Sequence, residues 1–353
     1  MTKKVTLTVY TLTHFAVDLG CGWLIYALYS TYAFGADTVA SAFLLYNFLA
    51  FGMQFIIGAV VDVLRIRDKL CHRETAYIGS VLVLIALILG VHTPWLSVTL
   101  VGLGNAAFHV GGGIDSLIYS DGKMARCGIF VSSGAVGVAL GMLCGARFFN
   151  MLYIPAAAVA LCALLVLFLG KCKDVAVGPS DENGFKMPLC GGSLGLAMCL
   201  SAVLVRSYSG FLFSMPWKQG FVLVLVAAGA AMAGKAVGGI LSDRLGSRTV
   251  GAVSLALSVP LVILGRESIV LSVLGIICFN IAMPITLHTA AARLRGYEGF
   301  AFGLTTLALL VGYLMFNFIS LSETASFVVV AVTGILAAGA VYLSSPGKRG
   351  SGQ

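Results

Sequence analysis

The sequence predicts an all-α membrane protein with twelve transmembrane helices arranged in two pseudo-symmetric halves of six helices each. Three observations carry this prediction: the composition, the number of long apolar segments, and a short motif that occurs once in each half. Of the 353 residues, 59% are hydrophobic and 10% are charged, and the mean hydropathy is +1.01. A soluble domain is about 45–50% apolar and about 25% charged. The excess apolar surface therefore has to face lipid.

The apolar segments give the number of helices. A transmembrane helix needs about 20 mostly apolar residues. Twelve such spans are predicted, at residues 6–33, 38–64, 75–92, 95–119, 124–147, 150–170, 193–215, 219–242, 248–265, 268–291, 298–320 and 324–344. The segment after the basic start MTKKV is long and leads into further spans, so we interpret it as a retained first helix.

The longest polar stretch divides the chain into halves. Residues 171–192 are rich in Gly, Pro, Asp, Asn and Lys, which is typical of a linker. The predicted organisation is an N-terminal six-helix bundle at 1–170, a cytoplasmic linker at 171–192, a C-terminal six-helix bundle at 193–344 and a cytoplasmic tail at 345–353.

The positive charge follows the same division. The chain has 22 Lys and Arg residues and a net charge of +8, and most of them fall in segments that twelve spans would place on the cytoplasmic side. This bias predicts a multi-pass protein of the cell (inner) membrane with both termini cytoplasmic. It explains the basic charge without a nucleic-acid partner.

A repeated motif follows the second span of each half. It is GAVVDVLRIRDK at 58–69 and GGILSDRLGSRTV at 238–250. Asp62 and Asp243 each lie four residues after a glycine, Gly58 or Gly239. A glycine lets two helices approach closely, and the aspartate can sit at a neighbouring helix N-terminus or pair with an arginine. The plainer alternative is an ordinary charged helix end.

The second copy resembles the cytoplasmic loop signature of the major facilitator superfamily, and parallel repeats are an architecture of those transporters. The resemblance implies the major facilitator fold and a cytoplasmic gate. The first copy departs from the signature because Arg65 stands where the second glycine belongs. The implied gate residues are Gly58, Asp62, Arg65, Gly239, Asp243, Arg244, Gly246 and Arg248.

Three further stretches, at 13–18, 101–141 and 280–313, resemble the fosmidomycin-resistance branch of that superfamily. The chain departs from the branch where the family continues FHPE, because Phe108 and His109 are followed by Val110 and Gly111. The resemblance implies export.

Span five adds a pattern associated with antiporters, although Met142 stands where that pattern has a proline. Its glycines are Gly128, Gly137, Gly141 and Gly145. The alternative is that Gly137, Gly141 and Gly145 only allow close helix packing, which needs no coupling role.

Ionisable groups within spans are functional candidates, because each costs about 2.5–3.5 kcal/mol at a helix centre. His14 and Asp18 are four residues apart in span one and share a helical face, so the pair is predicted to take up and release a proton. Span four offers Asn105 and His109 for the same pathway. Either histidine could instead be a structural hydrogen-bonding group.

Two further polar residues complete the predicted substrate and proton pathway. Arg206 in span seven stays charged, and it could grip an anionic substrate or neutralise a carboxylate such as Asp18. Asn280 in span ten is a cavity candidate, and equally an ordinary interhelical hydrogen-bonding residue.

The leading functional hypothesis is secondary active transport by alternating access, with proton-coupled export (antiport) of a drug-like or anionic small compound. A proton symporter or a uniporter for a metabolite is the alternative. An intramembrane enzyme is a distant one, because the sequence contains no HExxH motif and no paired cysteine ligands. We expect no enzyme activity, no cofactor and no metal. The expected partners are a small-molecule substrate, protons and the lipid bilayer, and we expect a monomer.

Overall fold

The computed structural model describes residues 3–34, 38–66, 72–169, 192–213 and 215–346. These residues form helices, turns and bends, and none of them forms a strand, which confirms the predicted all-α class. The helices are α1 Lys3–Ser30, α2 Val39–Asn47, α3 Met53–Ile66, α4 His72–Leu89, α5 Pro94–Tyr119, α6 Met124–Arg147, α7 Tyr153–Leu167, α8 Ser193–Leu212, α9 Gly220–Leu245, α10 Ser247–Leu264, α11 Ile269–Arg293, α12 Glu298–Phe318 and α13 Glu323–Ser344.

Each predicted span corresponds to a helix in this part of the chain. The second span is interrupted, because a π-helical turn at Phe48–Gly52 joins α2 to α3. Among the described residues, ten helical segments are long and apolar enough to cross a membrane, counting Val39–Leu64 as one. Of the other two, α7 is shorter, with 15 residues, and α5 is long enough with 26 residues but carries polar groups near its middle and end.

The chain forms two compact units. The first comprises the described residues within Met1–Tyr119, Ser133–Phe185 and Gly296–Gly303, and the second those within Ser120–Ser132, Lys186–Arg295 and Leu304–Gln353. The first unit thus includes the beginning of α12, and the second includes the beginning of α6. The linker predicted at 171–192 lies outside the described residues except for Gly192, and the tail predicted at 345–353 is described only as far as residue 346.

The first unit is held by close contacts between helices. Trp23 packs with Leu19 and Ala27 in a buried cluster of α1, and its indole Nε1 donates a hydrogen bond of 3.1 Å to the carbonyl of Phe148. The π-helical turn lies against α5, where a Cβ added at Gly102 would stand 2.7 Å from the Cβ of Leu49.

The second unit has its own apolar core. Leu255, Ile285 and Val341, from α10, α11 and α13, are almost fully buried in one cluster. Burial of a side chain of this size stabilises the fold by about 1.5–3 kcal/mol in water. In a membrane that term applies only to the parts that leave water, and van der Waals packing supplies the rest.

Candidate functional site

A cluster of three ionisable side chains forms where α1 meets α5 in the first unit. His14 and Asp18 lie four residues apart on α1, so both point to the same side. His14 Nε2 is 3.2 Å from Asp18 Oδ2. His109 of α5 places its Nε2 2.9 Å from His14 Nε2 and 3.7 Å from Asp18 Oδ1. The structure thus brings together three of the side chains that the sequence singled out.

Hydrogen-bonding partners constrain the protons of this cluster. His109 Nδ1 lies 2.9 Å from the backbone carbonyl of Asn105, and because a carbonyl only accepts, this nitrogen carries a hydrogen. A neutral His109 then has an acceptor at Nε2, and His14 Nε2 must donate. That one N–H faces both the His109 ring and the Asp18 carboxylate. If His14 carries a second proton, on Nδ1, its Nε2 hydrogen can pass to His109 Nε2, which reverses donor and acceptor with little movement of heavy atoms.

Asn105 and Cys21 complete the surroundings of Asp18. The Asn105 amide donates to Asp18 Oδ1 at 3.1 Å and lies 3.4 Å from the Cys21 thiol. The Asp18 and His109 side chains are each 14% exposed. The carboxylate is therefore shielded from water but keeps hydrogen-bonding partners, as a buried charge requires.

Gly134 of α6 leaves the space that this cluster occupies. A Cβ at this position would overlap Asp18 Oδ2 and His14 Nε2. Gly134 and Cys21 were not identified as site residues from the sequence. The available signals were weak: Cys21 lies three residues after Asp18, and Gly134 lies three residues before Gly137.

The cluster could also contact a cation. One ligand atom from each of His14, Asp18 and His109 lies within 4.8 Å of the other two. Two imidazoles and one carboxylate are a donor set that several divalent metal ions accept. No metal site was expected from the sequence, because these three ligand atoms come together only through the packing of α1 on α5.

A second polar cluster lies in the same unit around Asp115 of α5. The Tyr10 hydroxyl donates to Asp115 Oδ2 at 2.5 Å, and His72 Nδ1 contacts Asp115 Oδ1. All three residues are buried. Tyr10 lies one helical turn before His14 on α1. Tyr10 and His72 were not identified from the sequence.

The two aspartates of the repeated motif each bind the start of a helix. In the first unit, Asp62 is fully buried and accepts hydrogen bonds from the backbone N–H groups of Gly299 at 3.1 Å and Phe300 at 2.7 Å. Gly58 packs on the backbone of Gly299, where a Cβ would overlap the carbonyl. The Arg65 side chain lies outside the part of the chain that is described.

The second unit repeats this arrangement. Asp243 accepts from the N–H groups of Met124 at 2.8 Å and Ala125 at 3.0 Å, at the start of α6. Gly239 packs against the Met124 backbone, where a Cβ would overlap the carbonyl oxygen. Unlike Asp62, Asp243 is exposed. A carboxylate suits a helix N-terminus because the terminal N–H groups lack partners in their own helix.

The other residues of the second copy surround the turn between α9 and α10. Gly246 has φ of +96°, which a side-chain-bearing residue rarely adopts. The Arg248 Nε donates to the Ser345 carbonyl at 3.2 Å, and its guanidinium lies 5.6 Å from the centre of the Tyr342 ring. Arg244 is exposed.

The glycines of α6 contact α1. A Cβ at Gly137, Gly141 or Gly145 would overlap the backbone carbonyl of Phe15, Leu19 or Trp23, respectively. The three glycines therefore let the two helices approach closely. Gly137 also borders Asp18, because a Cβ there would stand 3.3 Å from the Asp18 Cβ.

Arg206 and Asn280 belong to the second unit. Arg206 is 6% exposed, and its guanidinium lies 5.5 Å from the centre of the Phe279 ring. The Asn280 amide donates to the carbonyl of Ile276 at 2.9 Å, one turn earlier in its own helix. Within the first unit, the described partners of Asp18 are His14, His109 and Asn105.

Comparisons with known proteins locate the fold. No protein-family model matches the chain, and no curated protein matches it. Among solved structures, the chain is similar to the major facilitator superfamily transporter FucP in the outward conformation, with a TM-score of 0.72 and 13% identity over 96% of this chain and 98% of that one. It is also similar to a variant of the Escherichia coli fucose:proton symporter FucP, with a TM-score of 0.68 and 12% identity over 98% of both chains. The chain therefore has the fold of the major facilitator superfamily transporters.

Proposed function

We propose that the chain is a secondary active transporter that moves a small organic solute by alternating access and exchanges it for protons. The cluster of His14, Asp18 and His109 carries this proposal. It gathers a carboxylate and two imidazoles inside an apolar unit, with the two imidazole Nε2 atoms 2.9 Å apart. Such groups within a membrane-spanning fold are functional candidates because their burial is costly.

Proton exchange is the chemistry that this cluster supports best. The His14 N–H faces two acceptors, the His109 nitrogen and the Asp18 carboxylate. Loading or unloading one proton changes the charge of the cluster by one unit. A proton crossing 100 mV supplies about 2.3 kcal/mol, enough for a roughly 50-fold solute gradient at one proton per solute.

The direction that we propose is export. This follows from the resemblance to the fosmidomycin-resistance branch and from the glycines of α6, which lie along α1 beside the proton site. We further propose an N-terminal bundle at 1–170 and a C-terminal bundle at 193–344, in the cell (inner) membrane with both termini cytoplasmic. The protein would act as a monomer without an enzymatic step or a cofactor. Its solute would be drug-like or anionic, because Arg206 is buried without a carboxylate partner among the described residues.

Proteoliposomes loaded with the pH-sensitive dye pyranine test the proposal. A panel of organic acids and antibiotics is added outside, one at a time, with potassium and valinomycin clamping the voltage. An inward solute gradient drives protons out through an antiporter, so the lumen becomes alkaline. A symporter would acidify the lumen and a uniporter would leave its pH unchanged, and empty liposomes correct for passive entry of weak acids.

The decisive variant is Asp18→Asn, which keeps the size of the side chain and removes its charge. We expect it to reduce solute-driven proton flux at least about tenfold. The matched control is Asp121→Asn, because Asp121 is an exposed aspartate paired with Arg126. Unchanged flux in Asp18→Asn, or no solute-dependent flux in the wild type across the panel, would contradict the proposal.

A further inference from the structure

Arg206 of α8 is buried, with an exposure of 6%. Within the part of the chain that the structure describes, its Nε has no hydrogen-bond partner. Among the described residues no carboxylate lies within ion-pair distance of it. Because a guanidinium remains charged in a protein, the second unit holds a positive charge that its described side chains do not neutralise.

Such a charge is unfavourable unless something else neutralises it. A buried arginine normally finds a carboxylate or a set of carbonyls, since an unpaired buried charge loses the solvation that water gave it. Arg266, for comparison, pairs with Glu323. An anion from outside the chain would supply the partner that the described residues do not.

The space beside Arg206 is a small, partly open cavity. Its volume is about 10 Å³, roughly the room for one water molecule. Six of its lining residues matter here: Arg206, Ser209, Phe213, Ser258, Phe279 and Thr333. The cavity can take part of a head group in this structure, and it would have to widen for the rest of an organic molecule.

Aromatic rings position the guanidinium. Its carbon lies 5.5 Å from the centre of the Phe279 ring, and the Phe213 ring meets that of Phe279 at 83°, with centres 6.0 Å apart. A ring of this kind attracts the cation. Its N–H groups remain available for two parallel bonds to an oxyanion.

Hydroxyl groups line the same cavity. Ser209 and Thr333 lie 2.7 Å apart, oxygen to oxygen, and Thr333 donates to the carbonyl of Val329 at 2.6 Å. Because the hydroxyl hydrogen of Thr333 is directed to Val329, Ser209 is the donor in the bond between the two hydroxyl groups. A rotation of the Ser209 hydroxyl would redirect that hydrogen to an anion beside Arg206.

We propose that this pocket binds the oxyanion head group of the transported solute, with Arg206 as the charged partner, Ser209 as a further donor, and the rings of Phe213 and Phe279 against an apolar body. This inference rests on the proposed transport function, whose solute it assigns to organic anions with one oxyanion group beside an apolar part. Carboxylates and phosphonates share the required chemistry.

Binding of benzoate and phenylphosphonate to purified protein in detergent tests the site without any gradient. Isothermal titration should give saturable binding of at least one of the two. Benzamide, a neutral analogue of benzoate, should bind at least about tenfold more weakly because it offers no charge to Arg206. Chloride is titrated separately as a free inorganic anion.

The variants separate a charged site from a general effect on folding. Arg206→Gln should weaken binding of the anion at least about tenfold. Arg206→Lys should weaken it by about three- to tenfold, because lysine keeps the charge but cannot form two parallel hydrogen bonds. Ser209→Ala should weaken it by about threefold. Arg266→Gln is the matched control and should bind as the wild type does. If Arg206→Gln does not fold, Arg206→Lys and Ser209→Ala decide the matter.

Several results would overturn the inference: no binding of either anion to the wild type, equal binding of benzamide and benzoate, unchanged binding in the folded Arg206 variants, or chloride displacing benzoate at equal concentration. Failure of the proton assay with benzoate binding intact would remove the proton coupling and leave the anion site. Conversely, Asp18-dependent proton flux without binding of either anion would remove the anion site and leave the proton coupling.

Discussion

Asp62 and Asp243 allow a paired test of the repeated motif. The two carboxylates accept the same kind of hydrogen bonds, but one is buried and the other is exposed. Each accepts two backbone N–H groups at a helix start. Asp62 is fully buried, whereas Asp243 is exposed. Asp62→Ala should therefore destabilise the protein more than Asp243→Ala.

The magnitudes follow from the number of bonds. A hydrogen bond to a charged group contributes about 1.5–3 kcal/mol, so loss of two buried ones costs about 4 kcal/mol. At the exposed Asp243, water can replace the lost acceptor. The loss in free energy of unfolding is therefore only about 0.5–2 kcal/mol, as for an exposed helix cap. At about 2–4 °C per kcal/mol for a domain of 150–250 residues, we expect Tm to fall by about 8–16 °C for Asp62→Ala and by about 1–8 °C for Asp243→Ala.

Thermal unfolding can be followed in detergent with a dye that fluoresces on reaction with thiols. Cys21, Cys127, Cys162 and Cys199 are buried and free, so they react only as the helices separate. Asp62→Asn keeps one acceptor and should give an intermediate shift. An equal or larger loss of Tm in Asp243→Ala than in Asp62→Ala would refute the reasoning from burial.

Two further substitutions have matched controls. Gly134→Ala should reduce solute-driven proton flux at least about tenfold, because the added Cβ would overlap the Asp18 carboxylate and the His14 imidazole. Gly229→Ala is the control and should keep the flux, because a Cβ there meets nothing within 4 Å. Equal flux in both variants would count against the proton site. Tyr10→Phe removes a buried donor to Asp115 and should cost about 1–3 kcal/mol in thermal unfolding. Tyr29→Phe, at a tyrosine that is 51% exposed, should change Tm little, and a similar loss in both variants would argue against a stabilising Tyr10 bond.

The sequence was sufficient for the fold because the signal for it is local. A run of apolar residues predicts a spanning helix wherever it occurs, and each predicted span corresponds to a helix or, at Val39–Ile66, to a broken one. The repeat placed Asp62 and Asp243 at equivalent positions for the same reason. The π-helical turn was not predicted, since nothing in the composition of Phe48–Gly52 differs from an α-helix of the same residues.

The candidate site was only partly predictable. The spacing of His14 and Asp18 on one helix, and of Asn105 and His109 on another, indicated two polar faces. Which faces meet depends on tertiary packing between segments far apart in the sequence. The imidazole and amide groups that surround Asp18 within the first unit come from two helices, and the sequence alone did not show that these helices meet.

The Asp115 cluster was missed for the same reason. Tyr10 and Asp115 are 105 positions apart, and His72 and Asp115 are 43 apart. A single sequence has no periodic signal for such pairs. His72 was also placed outside the third span, although it is the first residue of α4.

The π-helical turn in the second span sets the rotational phase between α2 and α3. Each residue of an α-helix turns the chain by about 100°, and a π turn accommodates one extra residue without passing that rotation on. Deleting a single residue from Phe48–Gly52 should therefore convert the turn to a regular α-helix and leave Asp62 facing the N–H groups of Gly299 and Phe300. Deleting a residue between the turn and Asp62 would instead rotate Asp62 by about 100°, so this span should tolerate a shorter turn better than a shorter α3.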